Sequence, residues 1–315
     1  MAHAISDRGM MFVGQLPWHG LGRQVSADDS YNIDRCIVAA GLDWDTLKVP
    51  LFTKEGREVP GAHATIRSDD GYIFGTVGDV YTVLQNRDAF RFFQPFLDTK
   101  QVSIETAGSL YDGAVVWILA KLAGNLEVTY GDQVDKYLCL SHSHDGSRKL
   151  NVFGTGTRVV CQNTLNLAMG SKESRFFGSM RHTKTMETRL DSVREDIARA
   201  NHLFLLEVEK YRFLAGKDVT PAKQAEYFRK VLGLPESGDL PTKSANRLNR
   251  LVELAETSPG ADLKSAKGTW WGALNGVTYF QSHEYGRSQD ARLDSLWFGG
   301  DGVDALNLAL EMASA

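Results

Sequence analysis

Asp-Gly occurs three times in the first half of the chain, at 70–71, 112–113 and 145–146, each time between runs of strand-forming residues. A two-residue type I′ turn needs positive φ at both central positions, and Asp-Gly meets that need at little steric cost. Each dipeptide therefore predicts an antiparallel hairpin. Asp112-Gly113 joins 102–111 to 114–122. The second of these strands carries Val116, Ile118 and Ala120 on one face and Val115, Trp117 and Leu119 on the other, the pattern of a central strand covered on both sides. Asp70-Gly71 joins 63–68 to 72–77. With no alternation of strand and helix between these signals, the first half predicts an antiparallel sheet.

The third hairpin opens the most informative stretch, 137–169. A two-residue turn at Asp145-Gly146 sets His144 opposite Ser147, His142 opposite Lys149 and Leu140 opposite Asn151. Both faces are polar or basic near the turn and apolar near the base, which predicts a finger rooted in the core with its tip in water. A glycine/threonine bend follows at 154–157, and then a short strand running into a helix through Cys161-Gln162-Asn163-Thr164.

Beyond 186 the spacing changes. Leu190, Val193, Ile197, Ala200, Phe204, Val208 and Tyr211 recur every three or four residues, predicting one amphipathic helix over 187–215. Thr220-Pro221 pairs an N-cap residue with a first-turn proline and opens a second helix that fades near Gly233. Thr242 and Thr269 are further caps, the latter for a helix with Trp270, Trp271, Leu274 and Val277; a last helix covers 302–313. Phe90, Phe92 and Phe93 near Asn86 predict a small helix packed on the sheet. The fold class expected is α+β: an antiparallel sheet with hairpins in the N-terminal half and a mainly helical C-terminal half. The division is a β-rich core at 1–186 and a helical region at 187–315, as one continuous domain or two closely packed ones.

At 315 residues and 43% hydrophobic side chains the chain can bury a substantial core. It has no apolar run long enough to span a bilayer, and its start lacks the uninterrupted apolar stretch of a signal peptide. Its three cysteines, none in a CxxC pair, fit a reducing cytoplasm, here that of a bacterial host. Net charge is −4, yet 145–189 holds eight Lys/Arg against three acids, and Lys243, Arg247 and Arg250 repeat at helical spacing. A confined basic patch lets an acidic protein hold a phosphate backbone, although such clusters also serve as solvated faces.

Several separated motifs carry a resemblance. They are Pro17-Trp18-His19-Gly20-Leu21-Gly22, Ser143-His144-Asp145-Gly146-Ser147, Arg158-Val159-Val160-Cys161-Gln162-Asn163-Thr164-Leu165, Arg181-His182-Thr183 and Gly268-Thr269-Trp270. In this order they resemble, nearly end to end, the bacterial and phage "phage/plasmid-like protein" family, known as domain of unknown function 932. The resemblance implies residence on mobile elements and carries no activity. A more distant architectural likeness, sheet leading into helix with basic residues at the junction, is to phage single-strand annealing proteins. That likeness implies rings or filaments that grip single-stranded DNA by its backbone and pair complementary strands without ATP. The chain indeed lacks the GxxxxGK[ST] loop of an ATP-driven recombinase.

On that likeness Arg148, Lys149 and Arg158 neutralise phosphates and Lys172, Arg175, Arg181 and Lys184 continue the track. Gln162, Asn163 and Thr164 offer donors at a helix start. The plainer roles are a helix cap for Asn163 and Thr164 and an ion pair for Arg158. No catalytic residue and no cofactor are expected. His142 and His144, two apart on one strand face, are weak metal candidates without a visible third ligand. Cys161 is a nucleophile candidate or, more simply, a buried small hydrophobe. The tryptophan pairs could stack on bases, pack at a subunit interface or fill the core. The rival function is an interaction protein that blocks a host defence system, with a hydrolase or nuclease third.

Overall fold

Val102–Leu110 and Val115–Leu122 form the expected hairpin, with Leu110 opposite Val115 as the Asp112-Gly113 signal requires. In the turn Tyr111 and Asp112 (φ 54° each) and Gly113 (φ 99°) all take positive φ, so the strain begins one residue before the dipeptide. All of the second strand except Lys121 is buried. The computed structural model describes residues 5–14, 22–158, 163–166, 176–197, 200–286, 292, 295–296 and 300–314.

The strands, in chain order, are β1 (Ile5–Val13), β2 (Arg23–Val25), β3 (Thr46–Phe52), β4 (Glu58–Arg67), β5 (Ile73–Gly78), β6 (Val102–Leu110), β7 (Val115–Leu122), β8 (Leu126–Thr129), β9 (Asp132–Ser143), β10 (Leu150–Arg158), β11 (Asn163–Asn166) and β12 (Phe176–Met180). The larger sheet runs β11-β10-β9-β7-β6-β1-β2, with β12 also on β10 and β8 also on β9; β3-β4-β5 form a separate sheet. Every pairing given a register is antiparallel except β1 with β2. The Asp70-Gly71 hairpin is β4–β5, in the smaller sheet.

The helices are α1 (Ile33–Ala39), α2 (Asn86–Arg91), α3 (Gln94–Asp98), α4 (Met186–Ile197), α5 (Ala200–Ala215), α6 (Pro221–Val231), α7 (Thr242–Thr257), α8 (Trp270–Tyr279) and α9 (Asp301–Ser314). The class is α+β, as expected. Thr220 Oγ1 accepts from Lys223 N at the start of α6 and Thr269 Oγ1 from Gly272 N at the start of α8, so both cap readings hold. Thr242 does not cap: it is the first helical residue of α7 and Pro241 precedes it as the cap without a side-chain acceptor. The expected helix over 187–215 is seen as α4 and α5; 198–199 lie outside the described residues. Phe90, Phe92 and Phe93 are fully buried in and after α2.

By contacts the chain forms two units that interleave along the sequence. The first comprises 1–123, 137–153 and 176–199, and the second 124–136, 154–175 and 200–315. In the first, Trp117, Ile104, Leu138, Leu140 and Phe153 fill the core; in the second, Trp271, Val208, Leu251 and Val277 do so.

Candidate nucleic-acid interface over a buried histidine cluster

The third Asp-Gly signal behaves differently from the other two. β9 ends at Ser143 and β10 begins at Leu150, so six residues connect them and no two-residue turn forms. Gly146 has φ +75°, but Asp145 does not share the positive φ that a type I′ turn demands. Side chains replace the backbone turn. Asp145 Oδ1 accepts from Ser147 N (2.8 Å), and Ser143 Oγ accepts from Arg148 N (2.9 Å). The loop lies against β5, where a Cβ on Gly75 would come 3.1 Å from that of Asp145, and one on Gly146 3.1 Å from Val77 Cγ1.

The tip itself is exposed at Gly146, Ser147 and Lys149, and the expectation is corrected for the residues just before it. His142, Ser143 and His144 are fully buried. His142 and His144 continue the face that Leu138 and Leu140 begin, and β3, β5 and the 79–86 segment cover it. His144 Nδ1 lies 2.9 Å from Thr46 Oγ1 and Nε2 3.0 Å from Asn86 Oδ1. Asn86 Nδ2 donates to Leu42 O and Trp44 O, which assigns its Oδ1 as an acceptor. His144 accordingly donates from Nε2 and accepts from Thr46 at Nδ1, a neutral imidazole. Its ring packs 5.3 Å from Phe74, stacked, and 5.2 Å from Trp44. Arg67, itself buried, lies 5.0–5.8 Å over the rings of Trp44, Tyr72 and Phe74, donates to Asp112 O (2.6 Å) and pairs with Asp69 and Asp70.

His142 meets His144 edge-on at 4.8 Å, and His182 follows at 5.8 Å from His142. His182 stacks on Tyr81 at 4.9 Å, and the Tyr81 hydroxyl donates to Ser143 O (2.8 Å). Neither ring nitrogen of His142 has a hydrogen-bond partner among the described residues. Burial drives all three imidazoles toward the neutral form, and each repels a second charge nearby. His144 titrates near 3, through burial and then His182, and His142 is held well below the ordinary value by burial, His144 and His182. His182 titrates near 4 through burial, although its backbone bond with Thr82 and the charge of Asp145 oppose that. The weak metal reading of His142 and His144 loses one ligand, because both nitrogens of His144 are engaged. Among the described residues no group of three or more His, Cys, Asp or Glu has the geometry to hold a metal ion.

The basic residues sit around this cluster. β10 and β12 pair antiparallel with Leu150 opposite Met180. The next residue on each chain, Lys149 and Arg181, therefore leaves the ladder side by side, and both are exposed. Lys184 is exposed three residues on, and Arg148 is half-buried in the loop. Lys149, Arg181 and Lys184 make no ion pair among the described residues. Sequence thus placed these four residues in one track without showing that 148–149 and 181–184 meet. It missed Arg67, Thr46 and Asn86, and left His182 without a role. The one usable signal was that His142 and His144 share a strand face with Leu138 and Leu140.

Asn163 does not begin a helix. Asn163–Asn166 is strand β11, paired Arg158↔Asn163 to Thr155↔Asn166, so the helix-start role for Asn163 and Thr164 is corrected. The glycine/threonine stretch of 154–157 is part of β10. Gln162, Lys172, Arg175 and Cys161 lie outside the described residues, as do Trp297 and Phe298; of Arg158 only the strand position is described. The basic stripe on α7 is largely engaged, with Arg250 forked onto Glu284 (2.8 and 2.6 Å) and Arg247 over the Tyr285 ring. Trp271 is core and Trp270 half-buried. No described helix is long and apolar enough to cross a membrane.

The family described as "Domain of unknown function (DUF932)" matches residues 73–297, more than two thirds of the chain. That span covers both histidine segments and the basic residues beside them. No curated protein and no solved structure gives a match.

Proposed function

We propose that this chain, which belongs to the DUF932 family of unknown function, binds single-stranded DNA by its backbone and anneals complementary strands as a homo-oligomer without ATP. The observation that supports this most is the convergence of Lys149 and Arg181 at the adjoining ends of β10 and β12, with Arg148 and Lys184 beside them. Two segments about thirty residues apart in sequence supply one exposed cationic edge, on which Lys149, Arg181 and Lys184 make no ion pair among the described residues. The buried imidazoles beneath it are neutral at pH 7, so the charge rests on lysine and arginine alone. Such an edge grips phosphates and leaves bases free to pair, which annealing requires. Large exposed side chains on α5, Leu205, Leu206 and Phe213, support self-association. The setting proposed is mobile-element DNA in the cytoplasm of a bacterial host.

Fluorescence anisotropy with a labelled ~40-nucleotide strand across a salt series tests this reading. Binding should weaken steeply with salt, and the doubly substituted Lys149→Ala/Arg181→Ala chain should lose affinity. Its log–log salt slope should shrink by about 1.4, two phosphates at about 0.7 each. Absence of binding at the lowest salt would sink the proposal and turn attention to a protein partner.

A further inference from the structure

In the second unit, Gln281, Tyr285, Arg292, Leu296 and Asp301 line a cavity of about 220 Å³. Gln281 is 4% exposed, and among the described residues its Oε1 and the buried Arg292 Nε have no hydrogen-bond partner. A buried polar group left unpaired is costly, and here a donor and an acceptor remain unpaired around one space. Glu284, whose charge acts on Arg292, is already forked by Arg250. Asp301, at the first turn of α9, is exposed, while Gly302 N donates to Ser295 Oγ (2.7 Å), so that helix N–H is already occupied.

The space thus offers a planar guanidinium for a carboxylate, a carboxylate and an amide oxygen for an ammonium group, and Leu296 with the Tyr285 ring for an apolar side chain. Its volume is below the ~300–1,000 Å³ of drug-sized pockets, which rules against nucleotides and favours a ligand of a dozen heavy atoms or fewer. We infer that this cavity binds a free α-amino acid with an apolar side chain, its carboxylate on Arg292 and its ammonium between Asp301 and Gln281. The inference is independent of DNA binding.

The test is thermal unfolding and calorimetric titration of the full chain with L-leucine, L-methionine and L-phenylalanine, each tested singly. At least one should raise the unfolding midpoint saturably. For L-leucine as the binder, 3-methylbutylamine and 4-methylpentanoate, which each lack one head group, should bind at least tenfold more weakly. Arg292→Met should abolish binding. Asp301→Asn, at an exposed position that leaves the fold intact, should weaken it at least tenfold. The inference is overturned if none of the three amino acids shifts the midpoint, if the single-headed analogues bind equally well, or if Asp301→Asn binds undiminished.

Discussion

Asp132 and His142 are both fully buried polar side chains, one in each unit, and their surroundings differ in kind. Asp132 Oδ2 accepts from Ser265 Oγ at 2.6 Å and from Trp271 Nε1 at 2.9 Å. His142 meets the rings of His144 and His182 and has no hydrogen-bond partner for either nitrogen among the described residues. The chemistry of the two groups accounts for the contrast. A buried carboxylate carries a charge whose desolvation costs several kcal/mol and must be matched by donors. An imidazole can release its proton, enter the core neutral and tolerate missing partners at about 1–3 kcal/mol. One unit therefore holds a polar group that fastens two segments together, and the other holds polar groups that stay only while they are uncharged.

Removing the fastening should have the largest effect. Asp132→Ala leaves Ser265 and Trp271 without that acceptor and should cost about 3–5 kcal/mol in urea unfolding; a cost below about 1 kcal/mol would erase the contrast. Acid should act on the other unit. His144 and His182 titrate near 3 and 4 when folded, against about 6.5 unfolded, so the unfolded chain binds more protons below neutrality. Stability should be full above pH 6.5 and fall as pH drops toward 4, by about 2 kcal/mol per histidine at pH 5. The urea midpoint of a His144→Asn/His182→Asn chain should fall less over pH 7.5–5 than that of the parent.

Within the cluster, the two strand histidines should separate. His144→Leu strands Thr46 and Asn86 and should cost about 1–3 kcal/mol. His142→Leu removes a group that had no partners and should be neutral or stabilising by up to about 1 kcal/mol in the same assay. If both substitutions cost alike, the partnering of His144 is not what distinguishes them. The smallest effect is expected at the surface. Lys149→Ala/Arg181→Ala should change stability by less than about 0.5 kcal/mol while weakening DNA binding, which separates the cationic edge from the cluster beneath it.

The first half of the site was only partly legible. Asp112-Gly113 set the β6–β7 register because β7 is apolar on both faces apart from Lys121 and the pairing is local. Asp145-Gly146 carried the same signal, but Asp145 and Ser143 spend their side chains on the loop backbone, and β5 packs against it through Gly75. A dipeptide propensity is worth little against that burial. The same competition placed Asn163 in a strand: β10 offered its edge to it, and the capping preference of Asn did not prevail.

Sequence alone determined the class of fold, the hairpins at 70–71 and 112–113, and the helix starts at Thr220 and Thr269. Each rests on contacts within a few residues, where side-chain chemistry and backbone geometry act directly. The tertiary structure alone decided that His142 and His144 are interior, that His182 joins them, and that Lys149 stands beside Arg181. Those outcomes depend on which distant strand covers which face, and an alternating polar pattern is the same on a strand whether water or β5 lies against it.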